Sequence, residues 1–350
     1  MNLSTPSAPQ QMPLAYPFHL LIASAPTPTE DESDSDNESP PAPDHSQKAL
    51  QLVKDRLLCK ATLESIPPKS SYRAWFLGGQ GYGSAPWLLH SSHGKGLLGL
   101  KALAFTENLR LRLLLPIFNL ETENSSWSCQ CGSRLYPLQH GFDDHHGLGC
   151  RNAVLLKCWR HDRIKDFLVS QLQRLISSAG TVETLKVDIP GRNGSPGKRA
   201  DIMVSLSRDV FFIDLAITNN GCQTARRAGS CSKSGKAALL KEASKTRQWS
   251  KVFDPTQLDR CFVPFVIEAG GRHGTKATDF LDKICGLEQL THIPNHSVAT
   301  ARRSLLRGIA SINAHHNALL MERFHNASKL TPFPKFSCPL SRVRRKSRPS

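Results

Sequence analysis

Two aspartates, Asp201 and Asp214, stand in the most apolar part of the chain, where a carboxylate needs a purpose. Asp214 lies inside Val210-Phe-Phe-Ile-Asp-Leu-Ala-Ile217, and Asp201 opens a run that alternates Ile202, Val204 and Leu206 with more polar residues. If the two runs form a hairpin turning at Ser207-Arg208, Leu206 faces Asp209 and Asp201 falls directly opposite Asp214. Opposed residues on antiparallel strands share a face, with Cβ atoms about 4.5–5.5 Å apart. Two like charges so placed repel, and an uncompensated buried carboxylate is costly. An oxygen-preferring divalent cation answers both problems, and Mg²⁺ is commonly held by one or two carboxylates plus a substrate phosphate. A metal there would polarise a scissile phosphate and acidify an attacking water. The alternative keeps both acids structural, with Asp201 paired to Lys198 or Arg199 and Asp214 to an arginine elsewhere. A one-residue change in the turn would also turn the acids away from each other.

Such a site gains from a nearby ammonium. The residue two beyond the second acid is Ala216, so the candidates lie on a later helix over 236–253, where Lys241 and Lys245 are one turn apart. Either could face a metal-bound water; otherwise both are solvated surface lysines.

A second cluster is suited to softer metals. Cys129-x-Cys131 is followed by His140, His145, His146 and Cys150. Zinc takes four N or S ligands in a tetrahedron, and Cys129, Cys131, His145 and Cys150 supply them. His146 is nearly as good a choice as His145, and Cys158 is a possible substitute; the alternative is a polar loop with chance thiols. The first residues show no basic region ahead of an apolar run, so secretion is not expected. The ten cysteines therefore read as ligands or free thiols rather than a disulfide framework.

Regular elements must position these groups. Ile164, Phe167, Leu168, Leu172, Leu175 and Ile176 fall on one face of a helix that Asp162 can cap. Strands are expected over 182–189, 200–206 and 210–217, the last central because it is apolar almost throughout. A helix over 236–253, a strand over 261–267 and helices over 275–285 and 297–324 follow. Gly78-Gly-Gln-Gly-Tyr-Gly83 is not read as a dinucleotide loop, because Pro86 and Trp87 stand where the phosphate-binding helix should start. The expected organisation is an acidic disordered tail over 1–47, a helical region over 48–125 and a zinc element over 126–158. An α/β domain with a mixed sheet over 159–290, a C-terminal helix over 291–330 and a basic tail over 331–350 complete it.

The charge is unevenly placed. Residues 1–47 hold no Lys or Arg and seven acids, so the remainder carries 45 basic and 22 acidic side chains against a whole-chain net charge of +16. A body that basic points to a polyanion, most often nucleic acid. The run 342–348, Arg-Val-Arg-Arg-Lys-Ser-Arg, reads as a nuclear import signal or a nucleic-acid tail. No apolar stretch reaches the roughly 20 residues of a membrane span.

The order helix, three strands, helix, strand around paired acids is that of the PD-(D/E)XK nucleases, a restriction-endonuclease-like αβββαβ core. The chain further resembles the region that follows the polymerase in non-LTR retrotransposon proteins encoding a restriction-like endonuclease. The resemblance runs from about residue 48 to 324. It rests on Ser84-Ala-Pro-Trp-Leu88, Leu109-Arg-Leu-Arg112, the elements Cys129-Gln-Cys131 and His145 to Cys150, and Arg160-His161-Asp162. It continues with Arg199-Ala-Asp-Ile202 plus Asp214, Lys245-Thr-Arg-Gln-Trp249, Phe262-Val-Pro-Phe265 and Glu268 to Gly271. Ala200 replaces a proline, and Gln248 a second lysine, of the family pattern. The resemblance implies a Mg²⁺-dependent DNA-nicking domain, with RNA as an alternative partner, in the nucleus or cytoplasm. Asp201 and Asp214 would hold Mg²⁺, and Lys245, displaced from the usual strand position, would assist the water. Zn²⁺ on the CCHC element would be structural, and Arg160 and His161 would seat nucleic acid. No polymerase precedes the domain, so a relative that binds nucleic acid without cutting, or a transposon relic, is the competing expectation.

Overall fold

The structure is a computed structural model that describes residues 45–80, 84, 86–90, 102–113, 127–128, 131, 134–135, 146–177, 180–185, 188–286 and 298–327. The acidic N-terminal segment through residue 44 and the basic tail lie outside the described residues.

The chain is a mixed α/β protein. Helices α1 (His45–Ser65), α2 (Ser71–Gly79) and α3 (Ala102–Leu113) precede a two-stranded antiparallel pair, β1 (Trp127–Ser128) and β2 (Arg134–Leu135). After the short α4 (His146–Gly149) come α5 (Val154–Ile176), β3 (Gly180–Thr184), β4 (Ile202–Leu206) and β5 (Val210–Thr218). Then follow α6 (Gln223–Arg227), α7 (Lys236–Trp249), α8 (Pro255–Cys261), β6 (Phe262–Glu268), α9 (Thr275–Cys285) and α10 (Val298–Ala327). The four longer strands form one sheet in the order β3-β4-β5-β6, antiparallel except for the β5–β6 pair. β5 is thus interior, as its unbroken apolar run requires. β6 is an edge strand, which is where Pro264 can sit without breaking a ladder.

Alternation along β5 divides the two sides of the sheet. Phe211, Ile213 and Leu215 join Ile202, Val204, Val263 and Phe265 in a core closed by α5, α9 and α10. Phe212 packs with Trp249, Phe253 and Phe262 on the opposite side, and Ala216 packs there with Ala238 and Val266. Each fully buried Leu, Ile or Phe contributes about 1.5–3 kcal/mol, so the first cluster dominates stability.

The helix expected to begin at Asp162 starts two turns earlier, at Val154, and Asp162 lies within it rather than capping it. The buried stripe of α5 is Arg160, Ile164, Leu168, Leu172 and Ile176, one residue every four. An arginine in the first position of that stripe conceals it from a search for apolar periodicity. The second-layer helix stops at Trp249, not 253, while α9 spans the expected residues. α10 packs on α3, α5 and α9, and so joins the N-terminal helices to the sheet. No described helix is long and apolar enough to cross a membrane.

Candidate active site and metal centre

The β4–β5 hairpin turns at Ser207-Arg208. Leu206 N–H donates to Asp209 O at 2.8 Å, and the register Ile202↔Ile213 through Ser205↔Val210 follows. That register, extended one step, sets Asp201 opposite Asp214. The chain departs from it there: Asp201 N–H donates to the carbonyl of Ile213, which is already the partner of Ile202. Two residues of one strand then share one partner, the geometry of a β-bulge, which re-aims the bulged side chain. The expectation of a directly opposed pair is corrected accordingly. Asp201 Oδ2 accepts the backbone N–H of Leu215 at 2.8 Å, filling the ladder position that β4 vacates. The Asp201 carboxylate is therefore bonded to the peptide that follows Asp214.

Asp214 is 9% exposed and faces α7. Its Oδ1 is 2.7 Å from Lys245 Nζ, and its Oδ2 accepts from Trp249 Nε1 at 2.8 Å. Lys245 and Trp249 are four residues apart and so lie on one face of α7. Ala216, next along the same face of β5, is buried against Ala238 of that helix. A lysine at 216 would have no room, whereas α7 delivers an ammonium to Asp214 from outside the strand. Lys241 forms no ion pair with either acid. Trp249 is a site residue that the sequence did not single out, although its spacing of four from Lys245 was a usable signal.

His161, from α5, holds the other acid. Its Nε2 is 3.2 Å from Asp201 Oδ2, and its Nδ1 is 3.2 Å from Asp162 Oδ1. Burial acts to lower the imidazole pKa, but the Asp201 and Asp162 carboxylates outweigh it and raise it above its ordinary value. Burial likewise acts to raise Asp162, yet His161 and Lys165 prevail and hold its carboxyl below the usual range. Neither Lys198 nor Arg199 pairs with Asp201 among the described residues. Asp201 Oδ1 has no partner among them.

Arg160 does not lie where nucleic acid could reach it. It is 3% exposed, with Nη1 donating to Asn317 Oδ1 at 2.5 Å beneath α10. Its place in the inward stripe of α5 dictates this, and the expected surface contact is corrected to an internal one.

Cys131, His146 and Cys150 bring their ligating atoms within 4.8 Å of one another, and Cys131 Sγ is 3.3 Å from His146 Nε2. Two thiols and an imidazole at that spacing could hold a metal ion, and the donor set suits zinc, with S and N ligands at about 2.0–2.3 Å. His146, on α4, supplies the imidazole; His145 and Cys129 lie outside the described residues. The carbonyl of Cys131 also accepts from the Arg151 guanidinium, which ties this loop to the start of α5.

Comparison with models of known protein families finds no match for the chain, and no curated protein matches it significantly.

Proposed function

We propose that the chain is a metal-dependent DNA endonuclease of the restriction-enzyme-like class, related to the nicking domain of non-LTR retrotransposon proteins. The observation that carries this reading is that Asp201, just ahead of β4, bonds the Leu215 N–H next to Asp214 of β5, while Lys245 of α7 pairs with Asp214 itself. The αβββαβ order of α5, β3–β5, α7 and β6 is the order that this class requires. Asp201 Oδ1 is open for a metal, and a carboxylate oxygen of Asp214 retains lone-pair capacity beside Lys245. Asp201 and Asp214 would together hold Mg²⁺, which supplies polarisation of the phosphate and acidification of a water.

The chain's own residues set the rest. His161 orients Asp201 through Oδ2 and leaves Oδ1 without a partner among the described residues. Trp249 holds one oxygen of the Asp214 carboxylate, and Lys245 places a proton donor beside the other. Cys131, His146 and Cys150, with Cys129 as fourth ligand, would hold a structural Zn²⁺ that pins the loop before α5. DNA rather than RNA as substrate, and a nuclear location, belong to this reading and rest on the basic composition.

A second reading has its own support. Both oxygens of Asp214 are already engaged, by a lysine and an indole, so the acid has no unmet need for a metal. On that reading the chain binds nucleic acid without cutting it. Incubation with supercoiled plasmid and Mg²⁺ separates the two. The nuclease reading expects nicked circles from wild type and none from Asp201→Asn, with plasmid binding retained by both. Equal nicking by the two proteins assigns the cut to another site or a contaminant. Binding without nicking by either assigns the chain to the non-cutting class.

A further inference from the structure

A pocket that includes neither acid lies between α2, α3, α10 and the turn after β6. Trp75, Trp87, Asn108, Arg112, Asn313 and Asn317 are among its lining residues. Arg112 enters from the last turn of α3. Its Nη1 donates to the Ser84 carbonyl at 3.3 Å, while Nε and Nη2 are shielded from solvent and have no acceptor among the described residues. No carboxylate pairs with it among the described residues. Burial draws its pKa down to about 10, with no acid opposing, and the group stays charged at neutral pH.

A second buried cation stands behind the same wall. Arg160 donates to Asn317 Oδ1, its Nε has no partner among the described residues, and burial draws its pKa to about 10 as well. Burial, together with His315, Arg160 and Arg163, pushes neighbouring His316 down to about 4, a further mark of positive potential here. The two asparagines are fixed: Asn313 Nδ2 and Asn317 Nδ2 both donate to Ala269 O, at 3.0 and 2.8 Å. That leaves Asn313 Oδ1 as a buried acceptor with no donor among the described residues.

A buried and a half-buried cation, with no counter-charge among the described residues, lose more hydration than their few hydrogen bonds return. The unfilled Nε/Nη2 edge of Arg112 is the two-pronged side of a guanidinium, which matches two oxygens of one anion. We propose that this pocket is an oxyanion site for a phosphate group. Arg112 takes two phosphate oxygens, Arg160 supplies charge from behind Asn317, and Asn313 Oδ1 accepts from a protonated phosphate oxygen or an attached hydroxyl. The site uses neither Asp201 nor Asp214, so it stands or falls independently of nicking.

The test is thermal unfolding of the full chain in phosphate-free buffer, titrated with inorganic phosphate against sodium chloride at constant ionic strength. The wild-type midpoint is expected to rise by several degrees and saturate, as ligand linkage requires. Arg112→Met should start from a higher midpoint and lose the phosphate response. Arg112→Lys, which keeps the charge but not the two-pronged edge, should need about tenfold more phosphate. If Arg112→Met does not fold, the wild-type and lysine arms decide. Asp201→Asn should respond as wild type does. A midpoint that follows ionic strength alone, or an undiminished response in Arg112→Met, overturns the proposal. Competition then identifies the source of the phosphate. Displacement by a 5′-phosphorylated oligonucleotide but not its 5′-hydroxyl twin indicates a strand end, and equal displacement by both indicates a phosphodiester. Displacement by neither indicates a free phosphate or a nucleotide.

Discussion

Lys245 Nζ meets Asp214 Oδ1 at 2.7 Å, an ion pair between α7 and β5 whose side chains are 19% and 12% exposed. It makes Asp214 a supported acid rather than a repelled one. Asp214→Asn should therefore destabilise the protein, by about 1–3 kcal/mol for the loss of charged hydrogen bonds. Lys245→Met should cost a similar amount. Because each removes the other's partner, the double variant should cost clearly less than the sum. Urea unfolding of the four proteins measures this, and strict additivity would mean that the contact contributes nothing in solution.

The His161–Asp201 pair predicts a dependence on pH. The folded imidazole has a raised pKa, so the fold binds more protons than the unfolded chain between about pH 6.5 and that raised value. The stabilisation is complete below about pH 6.5 and is lost as pH rises through the folded pKa. For a pair this exposed it should amount to about 1 kcal/mol or less. His161→Gln should remove this contribution alone, so the stability gap between wild type and variant should narrow as pH rises through the folded pKa. A wild-type-to-variant gap that stays constant with pH would mean that His161 does not titrate against Asp201.

Metal content tests the Cys131/His146/Cys150 cluster. Purified protein should carry about one zinc per chain, and chelation should lower its melting temperature. Cys150→Ser and His146→Ala should each reduce the zinc content, whereas His145→Ala and Cys59→Ser should not. Full zinc in His146→Ala combined with loss in His145→Ala would reverse the choice of imidazole.

The β4–β5 hairpin is legible in the sequence because its signals are local, whereas the strand expected over 182–189 runs from Gly180 to Thr184. Alternation through Ile202, Val204 and Leu206 and the Ser207-Arg208 turn are enough to fix the register of β4 on β5. What failed to read through was decided by contacts far along the chain. The bulge at Asp201 exists because its side chain answers both the Leu215 N–H and His161, which lies 40 residues earlier. Arg160 looked like a surface cation since its burial depends on Asn317, 157 residues away. Lys245 was reached from the sequence by way of the vacancy at Ala216, but spacing alone could not separate it from Lys241. The reach of α7 onto Asp214 makes that distinction. Between His145 and His146 the sequence had almost nothing to choose by, and placing His146 at the start of α4 is a matter of tertiary packing.

Glu242 offers a last test, away from both candidate sites. It is buried on α7, and its Oε1 accepts the backbone N–H of Lys276 at 3.0 Å, in the first turn of α9. Gly274 leaves room for it, since a Cβ at that position would come 2.1 Å from Oε1. Burial raises the carboxyl to about 7, against the lowering pull of Lys276 and with a further push from Asp279. For an acid with a raised folded pKa, the stabilisation is complete below about pH 4.5 and is lost as pH rises through about 7. Above that, the fold carries a buried negative charge. Glu242→Gln keeps an acceptor for Lys276 and removes the titration. It should match wild type near pH 4.5 and exceed it near pH 8.5, by on the order of 2–3 kcal/mol. Gly274→Ala should instead destabilise at every pH, because its methyl occupies the carboxylate's place. Chemical denaturation of the three proteins at the two pH values checks both, and an advantage for Glu242→Gln that is equal at pH 4.5 and 8.5 would sink the assignment.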